Sequence, residues 1–362
     1  MNILILSGQF GKGHQMAAKA IGEQISAMDF DTNIVEMDLF AYLFPKSSSL
    51  IFKMFQLLVE HCYGIYNLVY KLSGKMKVDI KPAGLRVYKK LKGLISKEKP
   101  DLIVCTLPLC AKSIASYIEK TGEYIPMITC ITDISLHPEW ITQQTDAYLV
   151  PTREVKRNLL CKGVEEEKIF VTGIPVRQQF SRNYGQMPVS MEKKNVLIMG
   201  GGLGIMPGID KLIRVLHAHD NIHTTIIAGS NHRILDTWKG VYDNIEVLGY
   251  TNSINQYMRR ADLVISKVGG ITLFELIACE VPLFAIHPFL EQEVNNAKYA
   301  QMMGIGTVVW NKHQDFIPEL EKILNDEKRW SELKQNMKNV KDKIVDVDLS
   351  DALEKITGRV SA

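Results

Sequence analysis

Three times along this chain a short apolar run ends in a glycine-rich turn that opens onto a helical pattern, and two of these stand at the head of a longer array. Asn2–Leu6 leads into Ser7-Gly8-Gln9-Phe10-Gly11-Lys12-Gly13-His14, after which Ala17, Ala18, Ile21 and Ile25 recur at helical spacing. Asn195–Met199 leads into Gly200-Gly201-Gly202-Leu203-Gly204. Behind each start the pattern continues as apolar runs of four to six residues alternating with helical segments. Runs too short and too apolar to be half-exposed strands belong in parallel sheets covered on both faces. Two such arrays in 362 residues predict an α/β protein of two Rossmann-like domains, since a single core stops growing near ~250–300 residues. The expected boundaries are 1–182 for the first domain, 183–194 for a polar linker and 195–345 for the second domain. Residues 346–362 are expected to form a helix packing back on the first domain.

The third turn of this kind carries more chemistry. Asp262–Ile265 reads as a buried strand, Ser266-Lys267-Val268-Gly269-Gly270 as the turn, and Ile271–Cys279 as the helix. Glycines let a ligand approach the backbone, and the helix start aims free N–H groups at it. Thr272 and Glu275 fall one turn apart, and a carboxylate there suits ribose hydroxyls better than phosphate. A capping box from Thr272 to Glu275 explains the same residues without any ligand.

The first turn is neither a Walker A loop nor a dinucleotide fingerprint, for Lys12 lacks a following Ser or Thr and the glycine spacing is wrong. It carries His14 where the helix begins, at the carboxyl ends of the strands where open α/β sheets bind ligands. The strand Ile125–Ile131 ends in Thr132-Asp133-Ile134-Ser135-Leu136-His137-Pro138-Glu139-Trp140. That brings a carboxylate and a second imidazole to the same edge, a setting for removing a proton from an acceptor hydroxyl.

Composition changes between Leu39 and Lys99. Eight aromatics crowd 40–70, where Lys46, Lys53 and Glu60 are the charged residues, and 71–99 then sets ten Lys or Arg against Asp79 and Glu98. Apolar helix followed by basic segment suits contact with an anionic membrane surface, each cation near such a leaflet adding about 1 kcal/mol. The alternative is a core of aromatics with a solvated lysine face. The whole-chain net charge of +3 makes no case for nucleic acid. No run of about 18 uncharged apolar residues is present, so no transmembrane helix is expected. Six cysteines without metal-ligand spacing read as reduced thiols, and with Met1 leading straight into a strand no signal peptide is expected. The expected location is the cytoplasm, peripheral on the inner face of the cell membrane.

Seven segments in order, Ser7–His14, Thr132–Trp140, Gly173–Arg177, Gly200–Gly204, Gly249–Asn252, Ser266–Glu275 and Glu291–Asn296, resemble the glycolipid-forming glycosyltransferases of family 28. These are the monogalactosyldiacylglycerol synthases and processive diacylglycerol glucosyltransferases. The resemblance implies a GT-B fold of two facing Rossmann-like domains with a central cleft. It further implies an inverting hexosyltransferase that moves sugar from UDP-glucose or UDP-galactose to diacylglycerol or a related lipid, using neither metal nor other cofactor. Carried over by position, Asp133 or His14 would be the general base, Asp133 preferred, with His137 and Gly13 beside them on the acceptor side. The UDP-sugar would be held by Gly201, Gly202, Gly204, Gly249, Tyr250, Ser266, Gly269, Gly270, Thr272, Glu275, Gln292, Glu293 and Asn296. Where the family usually has Pro-Gly, this chain has Leu290-Glu291, which leaves the hexose open. A polyprenyl-linked or soluble acceptor, a UDP-sugar 2-epimerase of the same fold and a non-catalytic sugar-nucleotide binder are the competing readings.

Overall fold

The computed structural model describes residues 1–28, 31–75, 85–180, 193–200, 206 and 208–361. Most of the expected linker and the glycines Gly201, Gly202 and Gly204 therefore lie outside the described residues.

The chain divides into two units, one of residues 1–178, 290–292 and 344–362, the other of 179–289 and 293–343. The first opens with β1 (Asn2–Ser7), α1 (Lys12–Ser26) and β2 (Asn33–Asp38), followed by the helices α2 (Leu39–Leu43), α3 (Ser48–His61), α4 (Tyr63–Lys75) and α5 (Leu85–Glu98). It continues through β3 (Leu102–Cys105), α6 (Pro108–Thr121), β4 (Met127–Cys130), β5 (Ala147–Val150), α7 (Arg153–Leu160) and β6 (Ile169–Val171). The six strands form one parallel sheet in the order β2-β1-β3-β4-β5-β6. Side chains alternate along β1: Leu4 and Leu6 join the core under α5 and α6, while Ile3 and Ile5 join the one under α1. Both faces are covered, as near-continuous apolar strands require.

The second unit repeats the plan with β7 (Lys194–Met199), α8 (Ile209–His217), β8 (Ile222–Ile227), α9 (His232–Trp238), β9 (Ile245–Leu248), α10 (Ile254–Arg260), β10 (Leu263–Ser266) and α11 (Gly270–Cys279). Then come β11 (Leu283–Ile286), α12 (Glu291–Met302), β12 (Gly306–Val309), α13 (Ile317–Leu324) and α14 (Glu327–Lys343). Its sheet, also parallel, runs β12-β11-β10-β7-β8-β9. The last helix, α15 (Leu349–Ser361), belongs to the first unit, where Ala352, Leu353 and Ile356 are buried with Ile3, Ile5 and Ala18. Asp346 anchors the approach to it, its side chain paired with Arg153 and its amide donating to the Val171 carbonyl.

Two boundaries differ from the sequence expectation. The second unit begins at Gln179 rather than Asn195, because Phe180 is fully buried and its carbonyl accepts from Cys279 Sγ, while the Gln179 carbonyl accepts from Asn255. Aromatic packing there outweighs the polar composition that follows. Residues 290–292 and 344–345 likewise group with the first unit.

Candidate functional site

In each sheet the first strand lies between its second strand and one reached by crossing the other way. The switch falls between β1 and β3 in the first unit and between β7 and β10 in the second. Helices leave such a point in opposite directions, so the carboxyl ends of those strands are where an α/β sheet can hold a ligand.

In the first unit that edge is built from three turns. Gly11, with φ 112°, takes a backbone conformation open to glycine and lets α1 start at Lys12, so Gly13 and His14 sit in its first turn. Gly8 passes so close to Leu107 that a Cβ would come within 2.9 Å of its side chain. Thr106, at the end of β3, is fully buried and clamps that first turn twice. Its carbonyl lies 2.8 Å from His14 Nδ1, and its hydroxyl donates to the His14 carbonyl at 2.9 Å. The Thr132 hydroxyl also lies 2.8 Å from Nδ1. A carbonyl can only accept, so Nδ1 carries the proton and Nε2 keeps its lone pair. Burial holds the imidazole below its ordinary pKa of 6.5, against the raising effects of Asp133 and the Thr106 bond.

Asp133 follows β4 and accepts a hydrogen bond from Trp140 Nε1 at 3.2 Å. Burial raises its pKa, while His14, the Trp140 bond and His137 oppose that rise. Trp140 is fully buried and its ring stands 6.2 Å from that of His14. His137 is buried and committed on both nitrogens. Nε2 donates to the Tyr70 carbonyl at 3.3 Å, and Nδ1 accepts from the Glu139 amide at 3.4 Å. Its ring lies 4.7 Å from Tyr70's. The Tyr70 hydroxyl bonds Ser135 and Gln292, and burial, with Asp133 and Tyr66 nearby, pushes its pKa upward.

Sequence reasoning placed His14, Asp133 and His137 at this edge, and the structure brings them together with Tyr70, Trp140, Thr106 and Thr132. Tyr70 and Thr106 were missed as site residues. Tyr70 sits in an aromatic-rich helix whose composition points to lipid, and the role of Thr106 lies in its carbonyl, which every residue has.

The helices α2 to α4 carry a row of half-buried rings. Phe10 meets Phe40, Phe52 and Phe55 edge-on at 5.0–5.4 Å, and Phe55, Tyr66 and Tyr70 continue the row toward His137. On the other side of α3 and α4, Leu50, Met54, Leu57, Ile65, Leu68, Val69 and Leu72 are each 46–61% exposed. Their spacing puts each set on one helical face, a contiguous apolar surface of the kind that marks an interaction site. The expected block at 39–99 thus splits. Val87, Leu91, Leu94 and Ile95 tie α5 into the core, and its Arg86, Lys89, Lys92 and Lys97 are an exposed outer face. Lys90 is spent on the Leu43 carbonyl at 2.7 Å.

Residues 290–292, in this same unit, lie against α4. Gln292 Oε1 accepts from the Tyr66 hydroxyl at 3.2 Å, the Glu291 amide donates to Asn67 Oδ1 at 3.0 Å, and the Glu291 carboxylate pairs with Lys71 at 3.0 Å.

In the second unit, β10 delivers Ser266-Lys267-Val268 to the switch point, and α11 starts at Gly270. Gly269 occupies the cap position with no side-chain cap bond, so the amides of the first turn are left for a ligand or solvent. This corrects the capping-box alternative: Thr272 lies inside the helix, its hydroxyl 3.6 Å from where a Gly269 Cβ would stand. Glu275 sits one turn further on and is buried but for 9% of its surface. Asn296 on α12 is buried and donates to the Val268 carbonyl at 2.8 Å, fixing the turn. Lys267 Nζ stands 5.4 Å from the centre of the Phe289 ring. Glu293 is half-buried in the first turn of α12, Gly249 directly follows β9, and Tyr250 after it is exposed. His287 at the end of β11 has φ 58°, an uncommon conformation for a side chain of its size, and sequence reasoning did not single it out.

Comparison with known proteins agrees with this architecture. Residues 14–176 match the monogalactosyldiacylglycerol (MGDG) synthase family, and residues 195–349 match the glycosyltransferase family 28 C-terminal domain. The processive diacylglycerol beta-glucosyltransferase of Bacillus licheniformis is 30% identical over 364 residues, covering 94% of this chain and 91% of that protein. The Staphylococcus aureus protein of the same name is 31% identical, covering 84% and 80%. Among solved structures, Acinetobacter baumannii MurG superposes with a TM-score of 0.64 at 12% identity over 99% of both chains. The UDP-GlcNAc 2-epimerase of Neisseria meningitidis, bound to UDP-GlcNAc, gives 0.62 at 16% identity over 99% of this chain and all of that one. These likenesses show the GT-B fold. Sequence identity sustained over nine-tenths of both chains, with both family matches in order, shows that the chain belongs to the processive diacylglycerol beta-glucosyltransferase family within glycosyltransferase family 28.

Proposed function

We propose that the protein transfers a hexose from a UDP-sugar to the free hydroxyl of diacylglycerol, inverting the anomeric centre to form a β-linked glycolipid. The observation that carries this reading is His14: a half-buried imidazole with Nδ1–H tied to the Thr106 carbonyl, leaving Nε2 as a neutral base beside a carboxylate. In the proposed step the acceptor oxygen attacks C1 of the sugar, its proton passes to His14 Nε2, and the bond from C1 to the β-phosphate oxygen breaks. Asp133 stabilises the imidazolium that results, as its raising effect on His14 indicates. The sequence leaves Asp133 and His14 both open as the base, with Asp133 preferred because His14 could instead meet donor phosphate; the tautomer of His14 and the engagement of Asp133 by Trp140 support His14 in that role.

The second unit takes the donor in this reading. The uncapped amides at Gly270–Thr272 offer dipoles to the departing diphosphate, so no metal is required for that charge. Glu275 binds the ribose hydroxyls, and Glu293 and Asn296 orient the hexose and diphosphate.

The apolar surface of α3 and α4 docks on an anionic membrane. Seven side chains with about half their surface exposed would gain roughly 1 kcal/mol apiece on full burial, about half of what a wholly exposed one gains, and the exposed Arg86, Lys89 and Lys92 of α5 add to that. No helix among the described residues is long and apolar enough to cross a membrane, so contact would be peripheral. A 2-epimerase, acting on a soluble sugar nucleotide, has no use for such a face, and the likeness to that enzyme is one of fold alone.

The test is to incubate the protein with UDP-glucose or UDP-galactose and vesicles containing diacylglycerol and anionic phospholipid, following UDP release. Release that requires both donor and lipid supports the reading. Absence of release with every sugar nucleotide and lipid tried refutes it.

A further inference from the structure

The turn between β1 and α1, Gly8-Gln9-Phe10-Gly11, has one large apolar side chain, Phe10, flanked by glycines and by an exposed Gln9. Gly11 sits at φ 112° and Gly8 has no Cβ, so backbone preference alone holds this turn weakly. Yet the turn leads in three residues from Gly11 to His14. Phe10 is received by three rings, Phe40 of α2 and Phe52 and Phe55 of α3, all at 5.0–5.4 Å and inclined by 73–86°. Edge-to-face contacts of this kind are each worth more than their buried area alone, and they fix orientation as well as position. Of the two helices that build the socket, α3 carries the exposed Leu50, Met54 and Leu57 on its outer side. Those helices continue into α4, which holds the other catalytic segment through the Tyr70 carbonyl and ring on His137.

We propose that Phe10 is a positioning residue: seated in the aromatic socket of α2 and α3, it fixes the turn and hence the first turn of α1 that presents His14. The proposal rests on the assignment of His14 as the base. The imidazole is then held from two sides, by Thr106 at Nδ1 and by Phe10 through the main chain. The helices carrying the apolar face thereby grip both segments of the base and its carboxylate.

The test compares wild type, F10A and F10L in the full chain. Amide hydrogen exchange is read over 8–14 and, as an internal reference, over the distal half of α1. In F10A the amides of 8–14 are expected to exchange at least about tenfold faster, with the distal half of α1 unchanged. With diacylglycerol vesicles and UDP-sugar, F10A is expected to lose about 10- to 100-fold in kcat while donor KM stays within about twofold, a misplaced base rather than a damaged donor site. Leucine, which refills the socket without a ring, is expected to recover most of both effects. Unchanged exchange over 8–14 in F10A overturns the proposal, as does wild-type kcat or a loss lying wholly in donor KM. If F10A fails to fold, F10V, which fills less of the socket than leucine, decides: a measurable rise in exchange confined to 8–14 supports the role, and none overturns it. If wild type turns over no donor, the proposed function fails, while the exchange data still settle what Phe10 does.

Discussion

The carbonyl oxygen of Thr106 stands 2.8 Å from Nδ1 of His14, across a sheet edge that separates them by 92 positions in sequence. This one contact fixes which imidazole nitrogen is protonated and therefore which can act as a base.

From it follows a pH dependence. Burial lowers the His14 pKa from 6.5, so the ring is neutral at pH 7, and activity is lost only as pH falls through the lowered value. The acidic limb of kcat/KM is expected to have its midpoint below 6.5. In the unfolded chain the ring takes up a proton first, so stability also declines as pH falls from 6.5 toward the lowered pKa. His14→Ala should reduce kcat by about 10²–10⁴-fold and abolish that limb. A pH–rate profile of both proteins checks this.

Asp133→Asn keeps the shape of the side chain and removes the charge that stabilises the imidazolium. Turnover is expected to fall at least about 100-fold with donor affinity unchanged. Trp140→Phe, which deletes the N–H donated to Asp133, should cost less, about 3- to 10-fold, since one charge-assisted bond is worth about 1.5–3 kcal/mol only when nothing replaces it. Kinetics with calorimetric titration of UDP separate the two effects.

On the donor side, Glu275→Ala is expected to raise donor KM by about tenfold or more with a smaller change in kcat. Asn296→Ala leaves the buried Val268 carbonyl without its donor, a loss of about 1–3 kcal/mol, so it should lower Tm as well as donor affinity. Thermal melts with and without UDP distinguish these variants.

The paired change Leu57→Glu and Leu68→Glu places charge on surfaces that are already exposed. Tm should therefore stay near wild type, while flotation with anionic vesicles and turnover of vesicle-borne acceptor should both fall about tenfold or more. Raising salt should weaken wild-type flotation, as lysine contacts with an anionic leaflet are screened.

How far the sequence speaks for itself can be judged from particular residues. The strands at Asn2–Ser7 and Leu263–Ser266 and the glycine turns after them are local patterns, and they locate both switch points. His14 and Asp133 are legible because each lies within a short turn of the carboxyl end of an apolar strand. Phe10 and Tyr70 were not, because their partners are brought near only by folding: Phe10 finds its socket 30 to 45 residues away, and Tyr70 meets His137 across 67. The basic run of α5 is legible in composition, but its division is not: Val87, Leu91 and Leu94 turn one face of the helix into the core, and Arg86, Lys89 and Lys92 stay on the exposed face.

The most direct measurement of the central claim follows labelled hexose from UDP-glucose and UDP-galactose into the lipid phase of diacylglycerol vesicles, with the anomeric configuration of the product read by NMR. The account predicts a β-linked glycosyl-diacylglycerol from the wild-type protein and none from His14→Ala. Label that stays in the aqueous phase, an α-linked product, or undiminished transfer by His14→Ala would contradict it.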